Sequence, residues 1–106
     1  MKLWVDDIRP APLGYYRCRS VKETIDIIVY CEASVEWDMI DSHTIEAIDI
    51  DHDAGDYAWD GGDYIKLLDW FEETGRNYPI RIHSMNPVGV ENMRRIIQRN
   101  GWTEVK

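Results

Sequence analysis

The amino-acid sequence predicts an α/β fold, a single domain over residues 1–106 with a three-layer, doubly wound and mostly parallel sheet of five strands. Short apolar segments rich in β-branched residues alternate along the chain with segments of helical periodicity. Strands separated by helices are joined by right-handed crossovers and therefore run parallel. The apolar run 45–50 is too short for a stable helix, and its β-branched residues favour an inner strand with both faces covered. A chain of 106 residues is long enough to bury one such core.

Charge and composition exclude some classes of partner. With a net charge of −8 and an isoelectric point of about 4.7, the chain repels polyanions, so duplex nucleic acid is not an expected partner. A small phosphate ester is not excluded, because a bound divalent cation or a few arginines can reverse the local sign. No apolar run reaches membrane-spanning length and the amino terminus is unlike a signal peptide, so we expect a cytoplasmic location without membrane contact. Cys18 and Cys31 lack metal-ligand spacing and are expected to be reduced thiols.

The first half of the chain predicts two strands and a helix. Residues 2–8 form an apolar run that ends in acids, and the aromatic segment 15–19 follows a proline- and glycine-containing loop, which leaves little room for a helix between these two strands. Ser20 and Glu23 have the spacing of a capping box, which predicts a helix over 21–32. Residues 34–43 fit either helical packing or a loop, and their pattern does not decide between the two.

The second half predicts a loop, two helices and two strands. The acidic, glycine-rich segment 53–63 is typical of a loop, and helical spacing over 63–74 stops at a glycine. Residues 78–84 predict a strand. Asparagine followed by proline at 86–87 predicts a helix start, and that helix is expected to end at 100–101. Residues 102–105 can form a last short strand.

Polar residues follow three of the predicted strands. If the strands take the order 2-1-3-4-5 of flavodoxin-like sheets, the carboxyl ends of strands one, three and four are neighbours, where such folds place ligands. Adjacent strands lie about 4.8 Å apart, so side chains from two of these ends can share one small ligand. The residues expected there are Asp6, Asp7, Asp51, His52, His83 and Ser84.

These residues carry a resemblance to a known family. The acid pair after strand one, the acid after strand three and the hydroxyl after strand four resemble the acidic pocket of response-regulator receiver domains. The segments 3–12, 51–55 and 80–89 resemble, more specifically, the small stand-alone proteins called cyclic-phosphate processing receiver domains. The resemblance implies a receiver-like topology and a phosphoesterase-like activity on a small cyclic phosphate or a phosphorylated nucleotide.

The sequence also departs from ordinary receivers. The first and last helices are reduced or absent, and no Lys-Pro pair follows the fifth strand, where Lys106 is a weak substitute. These departures argue against phosphoryl signalling. The alternative function is a divergent signalling or protein-binding module, with Asp51 as a phospho-acceptor or with a vestigial pocket.

Carboxylates at the strand ends suggest a cation site. Asp6, Asp7 and Asp51 are hard oxygen ligands that would be too crowded to remain ionised without a cation among them. Mg²⁺, or Mn²⁺, is the expected occupant because it is held by one or two carboxylates and keeps several waters. The structural alternative is that these acids pair with Arg9 or Arg81.

Two histidines and several donors complete the expected site. His52 and His83 would act as base and acid beside Asp51, which suits the opening of a cyclic phosphate at neutral pH. Candidate substrate-binding residues are Arg9, Arg81, Ser84 and Asn86, the last at a helix start whose amides favour anions.

Three further signals carry less weight. His43 lies outside this geometry and is interpreted as a loop residue. The spacing of the acids at 49, 51 and 53 is that of a calcium-binding loop, but Ala54 occupies the turn position and the preceding segment is strand-like, so an EF-hand is excluded. Tyr57 and Trp59, in the acidic loop, are the aromatic residues best placed to contact a nucleoside.

Overall fold

The predicted α/β class is confirmed by a computed structural model that describes residues 1–38 and 44–106. Strands and helices alternate after the second strand, as the sequence predicted. The elements are β1 (Lys2–Val5), β2 (Tyr15–Cys18), α1 (Val21–Asp38), β3 (Ala47–Ile50), a short 3₁₀ turn (Gly55–Tyr57), α2 (Ile65–Thr74), β4 (Ile80–Ile82) and α3 (Pro87–Asn100).

The sheet is parallel and has the predicted strand order over its four strands, β2-β1-β3-β4. Val5 is aligned with Cys18 on one side and with Ile50 on the other, and Ile50 is aligned with Ile82. This register brings the carboxyl ends of β1, β3 and β4 to the same edge, where the sequence placed its candidate site.

The predicted fifth strand is reduced to a single bridge between Ile80 and Glu104. Trp102 is still tied to the end of α3, because its N–H donates to the Ile97 carbonyl at 3.0 Å. Only the next residues are free to pair, and there the Val105 N–H donates to the Ile80 carbonyl at 2.7 Å. The prediction of a strand over 102–105 was therefore right in position and wrong in extent.

The three helices pack against one face of the sheet, so two layers replace the predicted three. With right-handed crossovers, the connections after β2 and β3 place their helices on the same side, and only the connection from β1 to β2 leads to the other side. That connection contains no helix, in agreement with the expected loss of the first one. One core cluster joins the helices to this face and includes Leu3, Val5, Ile28, Ile48, Ile50, Leu67, Leu68, Phe71, Ile80, Met93 and Ile97.

The opposite face of the sheet carries polar residues. Trp4 is aligned with Arg17 and Asp49, and Asp49 with Arg81, so these side chains form a row across the four strands. The Trp4 ring is nevertheless buried, and its indole N–H donates to the Arg9 carbonyl at 3.0 Å. The loop after β1 therefore lies over part of this face, in place of a helix.

Local hydrogen bonds explain where the elements begin and end. β1 stops at Val5 instead of residue 8 because the Asp6 carboxylate accepts the N–H groups of Ile8 and Arg9, both at 2.9 Å, and so closes a turn. The capping interaction of Ser20 is confirmed, since its hydroxyl accepts the Glu23 N–H at 3.0 Å.

Helix α1 is longer than predicted, since it reaches Asp38 rather than residue 32. The rest of the undecided segment, residues 39–43, lies outside the described residues, and so does the interpretation of His43. No helix in the described part of the chain is long and apolar enough to cross a membrane. Cys18 and Cys31 are free, buried thiols, as expected.

Candidate functional site

An acidic cluster forms at the carboxyl edge of the sheet, as the sequence predicted. Asp6, Asp7 and Asp51 each offer a carboxylate oxygen, and these oxygens all lie within 4.8 Å of one another. The cluster depends on strand pairing, because the Asp51 N–H donates to the Val5 carbonyl at 2.9 Å and thereby fixes the end of β3 beside the end of β1. Asp6 is buried and the other two are partly exposed.

The two acids that follow β1 have different electrostatic surroundings. Burial raises the pKa of Asp7, and the negative charges of Asp6, Asp51 and Asp56 raise it further. Burial also acts on Asp6, but hydrogen bonds from the backbone at 8–9 and from His83 outweigh it and lower its pKa. The hydrogen-bond donors around the cluster thus do not offset all of its negative charge. A bound cation would offset the remainder.

The donor set fits a hard divalent cation. All three candidate ligands are carboxylates, and Mg²⁺ or Mn²⁺ prefers oxygen ligands and takes only one or two of them from carboxylates. The Asp7 carboxylate is kept in place by a close backbone approach, since a Cβ atom on Gly55 would lie 2.2 Å from its Oδ2. Gly55 also has a φ of +55°, a conformation that favours glycine.

His83 lies between two buried carboxylates. Its Nε2 is 2.8 Å from Asp6 Oδ2, its Nδ1 contacts Asp49 Oδ1, and its ring is stacked on Trp4 with centroids 3.8 Å apart. The side chain is only 8% exposed. Burial disfavours the charged ring, but hydrogen bonds and charges from Asp49 and Asp6 outweigh it and raise the His83 pKa. Both ring nitrogens therefore face carboxylate oxygens, and neither nitrogen is free.

Asp49 is a site residue that the sequence analysis missed. It is buried inside β3, where its Oδ1 contacts His83 and its Oδ2 accepts from Arg81 Nη1 at 2.9 Å. Arg81, which was expected to bind substrate, thus forms an ion pair with Asp49, an acid that the structural alternative did not include. An acid within an otherwise apolar strand was the signal that could have identified Asp49, because a buried carboxylate requires a cationic partner.

Arg17 is a second residue that was missed. Its Nη2 donates to the Asp7 carbonyl at 3.1 Å, and its Nε lies 3.5 Å from the Asp6 carbonyl. The guanidinium therefore binds the backbone of the acid pair and leaves the carboxylates free for other partners. Only the register of β2 beside β1 places it there.

His52 has one ring nitrogen engaged. Its Nδ1 is 2.7 Å from Asp53 Oδ1, and Asn86 Nδ2 lies 3.5 Å from the same nitrogen. No described residue hydrogen-bonds its Nε2. The ring packs directly on the first turn of α3, since a Cβ atom on Gly89 would lie 2.4 Å from His52 Cγ. The two candidate histidines are therefore held by different partners, one between buried carboxylates and the other against a helix.

An open pocket of about 410 Å³ lies beside the acidic cluster. It contains three of the four predicted substrate-binding residues. The guanidinium of Arg9 forms no ion pair with any described residue, and it is therefore available to a ligand. The Asn86 N–H donates to the Ser84 hydroxyl at 3.1 Å. The lining comprises Arg9, Asp51, Asp53, Ser84, Met85, Asn86 and Pro87.

The aromatic residues of the acidic loop lie outside that lining. Trp59 is 80% exposed, and Tyr57 ends the 3₁₀ turn. Their expected contact with a nucleoside stays a prediction.

One comparison with known proteins gave a match. A family model described as the cyclic-phosphate processing receiver domain matches residues 1–99 of this chain. No curated protein and no solved structure matches it. The match spans all the strands and nearly all of α3, including the acidic cluster and the pocket.

Proposed function

The chain belongs to the cyclic-phosphate processing receiver domain family, and we propose that it is a metal-assisted phosphoesterase acting on a small cyclic phosphate or a phosphorylated nucleotide. The observation that carries the proposal is the convergence of Asp6, Asp7 and Asp51 beside a pocket that contains Arg9, an arginine without an ion-pair partner among the described residues. Carboxylates that can bind a cation lie next to the cationic side chain of Arg9. Together these groups suit a substrate that carries a phosphate group.

Asp6, Asp7 and Asp51 are the residues that would hold Mg²⁺ or Mn²⁺. The cation would supply positive charge that offsets the charge developing on the phosphate oxygens. Asp51 also accepts the N–H of His52 at 2.7 Å, so its carboxylate is oriented before any ligand arrives. Preorganisation of this kind lowers the cost of binding.

The substrate would be oriented by other residues of the pocket lining. Arg9 can donate two parallel N–H groups to phosphate oxygens, a geometry that a lysine cannot offer. Ser84 and Asn86 add neutral donors from the start of α3. These three side chains and Asp51 line the same pocket, which supports the assignment of Arg9, Ser84 and Asn86 to substrate binding.

Hydrolysis of a cyclic phosphate requires two proton transfers. A water forms a new P–O bond and loses a proton, one ester P–O bond breaks, and the leaving alkoxide oxygen gains a proton. His52 is the better candidate for these transfers, because Asp53 orients its Nδ1 and its Nε2 has no hydrogen-bond partner among the described residues. His83 could act as the second carrier only by releasing Nε2 from Asp6; held there, it positions a metal ligand.

A receiver-type signalling role is the second candidate function. Asp51 follows β3, is partly exposed and lines the pocket, which suits a phospho-acceptor.

One experiment separates the two functions. The purified chain is incubated with glycerol 1,2-cyclic phosphate and with a nucleoside 2′,3′-cyclic phosphate, with and without Mg²⁺, and ³¹P NMR follows the ring-opened monoester. The proposal predicts metal-dependent opening that Asp51→Asn abolishes and that the matched change Asp69→Asn, on the exposed side of α2, leaves intact. Stable labelling of Asp51 by acetyl phosphate without any ring opening would overturn it in favour of the signalling role.

A further inference from the structure

A second cavity adjoins the pocket of the candidate site. It has a volume of about 430 Å³. The two cavities meet at the segment that joins β4 to α3, because Ser84, Met85 and Pro87 line both. The first two turns of α3 provide the rest of the lining of the second cavity, namely Val90, Glu91 and Arg94.

The two cavities differ in chemistry. The first contains Arg9, Asp51 and Asp53, and the second is bordered mainly by the apolar groups of Met85, Pro87 and Val90. A phosphate group bound at Arg9 fills only a part of a pocket this large, so a substituent on the phosphate has room to extend along the lining. The carboxylates of Asp51 and Asp53 disfavour an apolar group, whereas the shared segment offers an apolar path into the second cavity.

The shared segment exposes one large apolar side chain, since Met85 is 83% exposed. A methionine thioether adapts to ligands of irregular shape and makes favourable contacts with aromatic rings. Arg94, which also lines the second cavity, is fixed because its Nε donates to Glu104 at 2.8 Å. A guanidinium held in this way can stack on a planar ring.

We infer that the second cavity binds a planar aromatic substituent of the substrate, so that the preferred phosphoester is a nucleotide with its base between Met85 and Arg94. The inference rests on the proposed function, because it assumes that the phosphate lies in the first pocket. It assigns the base to the start of α3 and not to Tyr57 or Trp59.

The test compares two esters that share a cyclic phosphate and differ in the substituent. Dissociation constants are measured with Mg²⁺ present for adenosine 2′,3′-cyclic phosphate and for glycerol 1,2-cyclic phosphate. ¹⁵N–¹H NMR spectra locate each ligand. A base packed between a guanidinium and a methionine thioether strengthens binding by about tenfold. The adenosine ester is therefore expected to bind that much more tightly and to shift the amide signals of Val90 and Arg94. The glycerol ester is expected to shift signals of the first pocket alone.

Variants assign the preference to specific side chains. Met85→Ala and Val90→Ala are expected to lower the ratio of the two affinities by about threefold or more each. Val29→Ala is the matched control, an exposed valine on α1, and it is expected to keep the ratio. A ratio near one, or a ratio that only Trp59→Ala lowers, overturns the inference while leaving the proposed function standing. If neither ester binds, both fail; if the adenosine ester binds at α3 without being hydrolysed, the base site stands and the phosphoesterase proposal fails.

Discussion

Replacing Gly89 by alanine tests whether the start of α3 positions His52. Gly89 is buried in the first turn of α3, and an added Cβ would lie 2.4 Å from His52 Cγ and 2.6 Å from its Cδ2. Real Cβ atoms do not approach other atoms this closely, so the imidazole ring has to move. Its hydrogen bond with Asp53 is then lost or lengthened.

Two opposing effects set the expected magnitude. Helix propensity alone predicts that Gly89→Ala stabilises the protein by about 1 kcal/mol. Overpacking of a buried contact costs about 1–3 kcal/mol. The balance is a net destabilisation of up to about 2 kcal/mol. Because His52 is displaced, turnover of a cyclic phosphate should fall about 10²-fold, the scale of a misplaced catalytic group.

A double-mutant cycle provides the assay and its control. The free energy of unfolding in urea is measured for the parent, Gly89→Ala, His52→Ala and the double variant. Without the imidazole ring the clash is absent, so in the His52→Ala background the same glycine substitution should be stabilising by about 1 kcal/mol. The reasoning is refuted if Gly89→Ala stabilises both backgrounds equally, since the ring then does not pack on this residue.

Three other predictions address the metal, the pH dependence of stability and the buried acid. Mg²⁺ is expected to raise the melting temperature, because it binds only the folded chain. The double variant Asp7→Asn, Asp51→Asn should lose that increase, and the control variant Asp69→Asn should keep it. The side-chain hydrogen bonds of Glu32 with Arg76 lower the pKa of Glu32 below its ordinary value of 4.5. The stability that Glu32 contributes is therefore present above pH 4.5 and is lost as the pH falls through the lowered pKa. Urea unfolding of the parent and Glu32→Gln between pH 7 and pH 3 should therefore converge at the acid end, and a constant difference would contradict this. Asp49→Ala should destabilise the fold by about 3–5 kcal/mol, because it leaves the buried charge of His83 without one of its partners; a loss below about 1 kcal/mol in urea unfolding, typical of an exposed ion pair, would show that Asp49 is not such a partner.

The sequence was sufficient wherever a local signal determined the structure. The cap at Asn86 is one case, since its side chain accepts the Gly89 N–H at 3.0 Å as its residue type and position predicted. The convergence of Asp6, Asp7 and Asp51 is another, because it required only the polar ends of two strands and the order of the sheet. Arg9, Ser84 and Asn86 line the adjoining pocket, and their role in substrate binding stays a prediction.

The features that could not be predicted from the sequence depend on contacts across the sheet. The position of His83 is set by Trp4 and by Asp49, which lie on β1 and β3, and no spacing along the chain connects these three residues. The third layer was predicted from the usual α/β architecture. The short loop between β1 and β2 has little room for a helix, and this feature of the sequence argued against that layer. The last strand was lost because the cap at Gly101 keeps the following residue bound to α3.

The proposed function requires that the acidic cluster holds a divalent cation that supports opening of a cyclic phosphate. The most direct measurement is the rate of monoester formation from adenosine 2′,3′-cyclic phosphate as a function of Mg²⁺ concentration, for the parent and for Asp51→Asn. The rate is expected to rise to saturation with Mg²⁺ in the parent and to fall to background in the variant. A rate that does not depend on the metal, or that Asp51→Asn leaves unchanged, would contradict it.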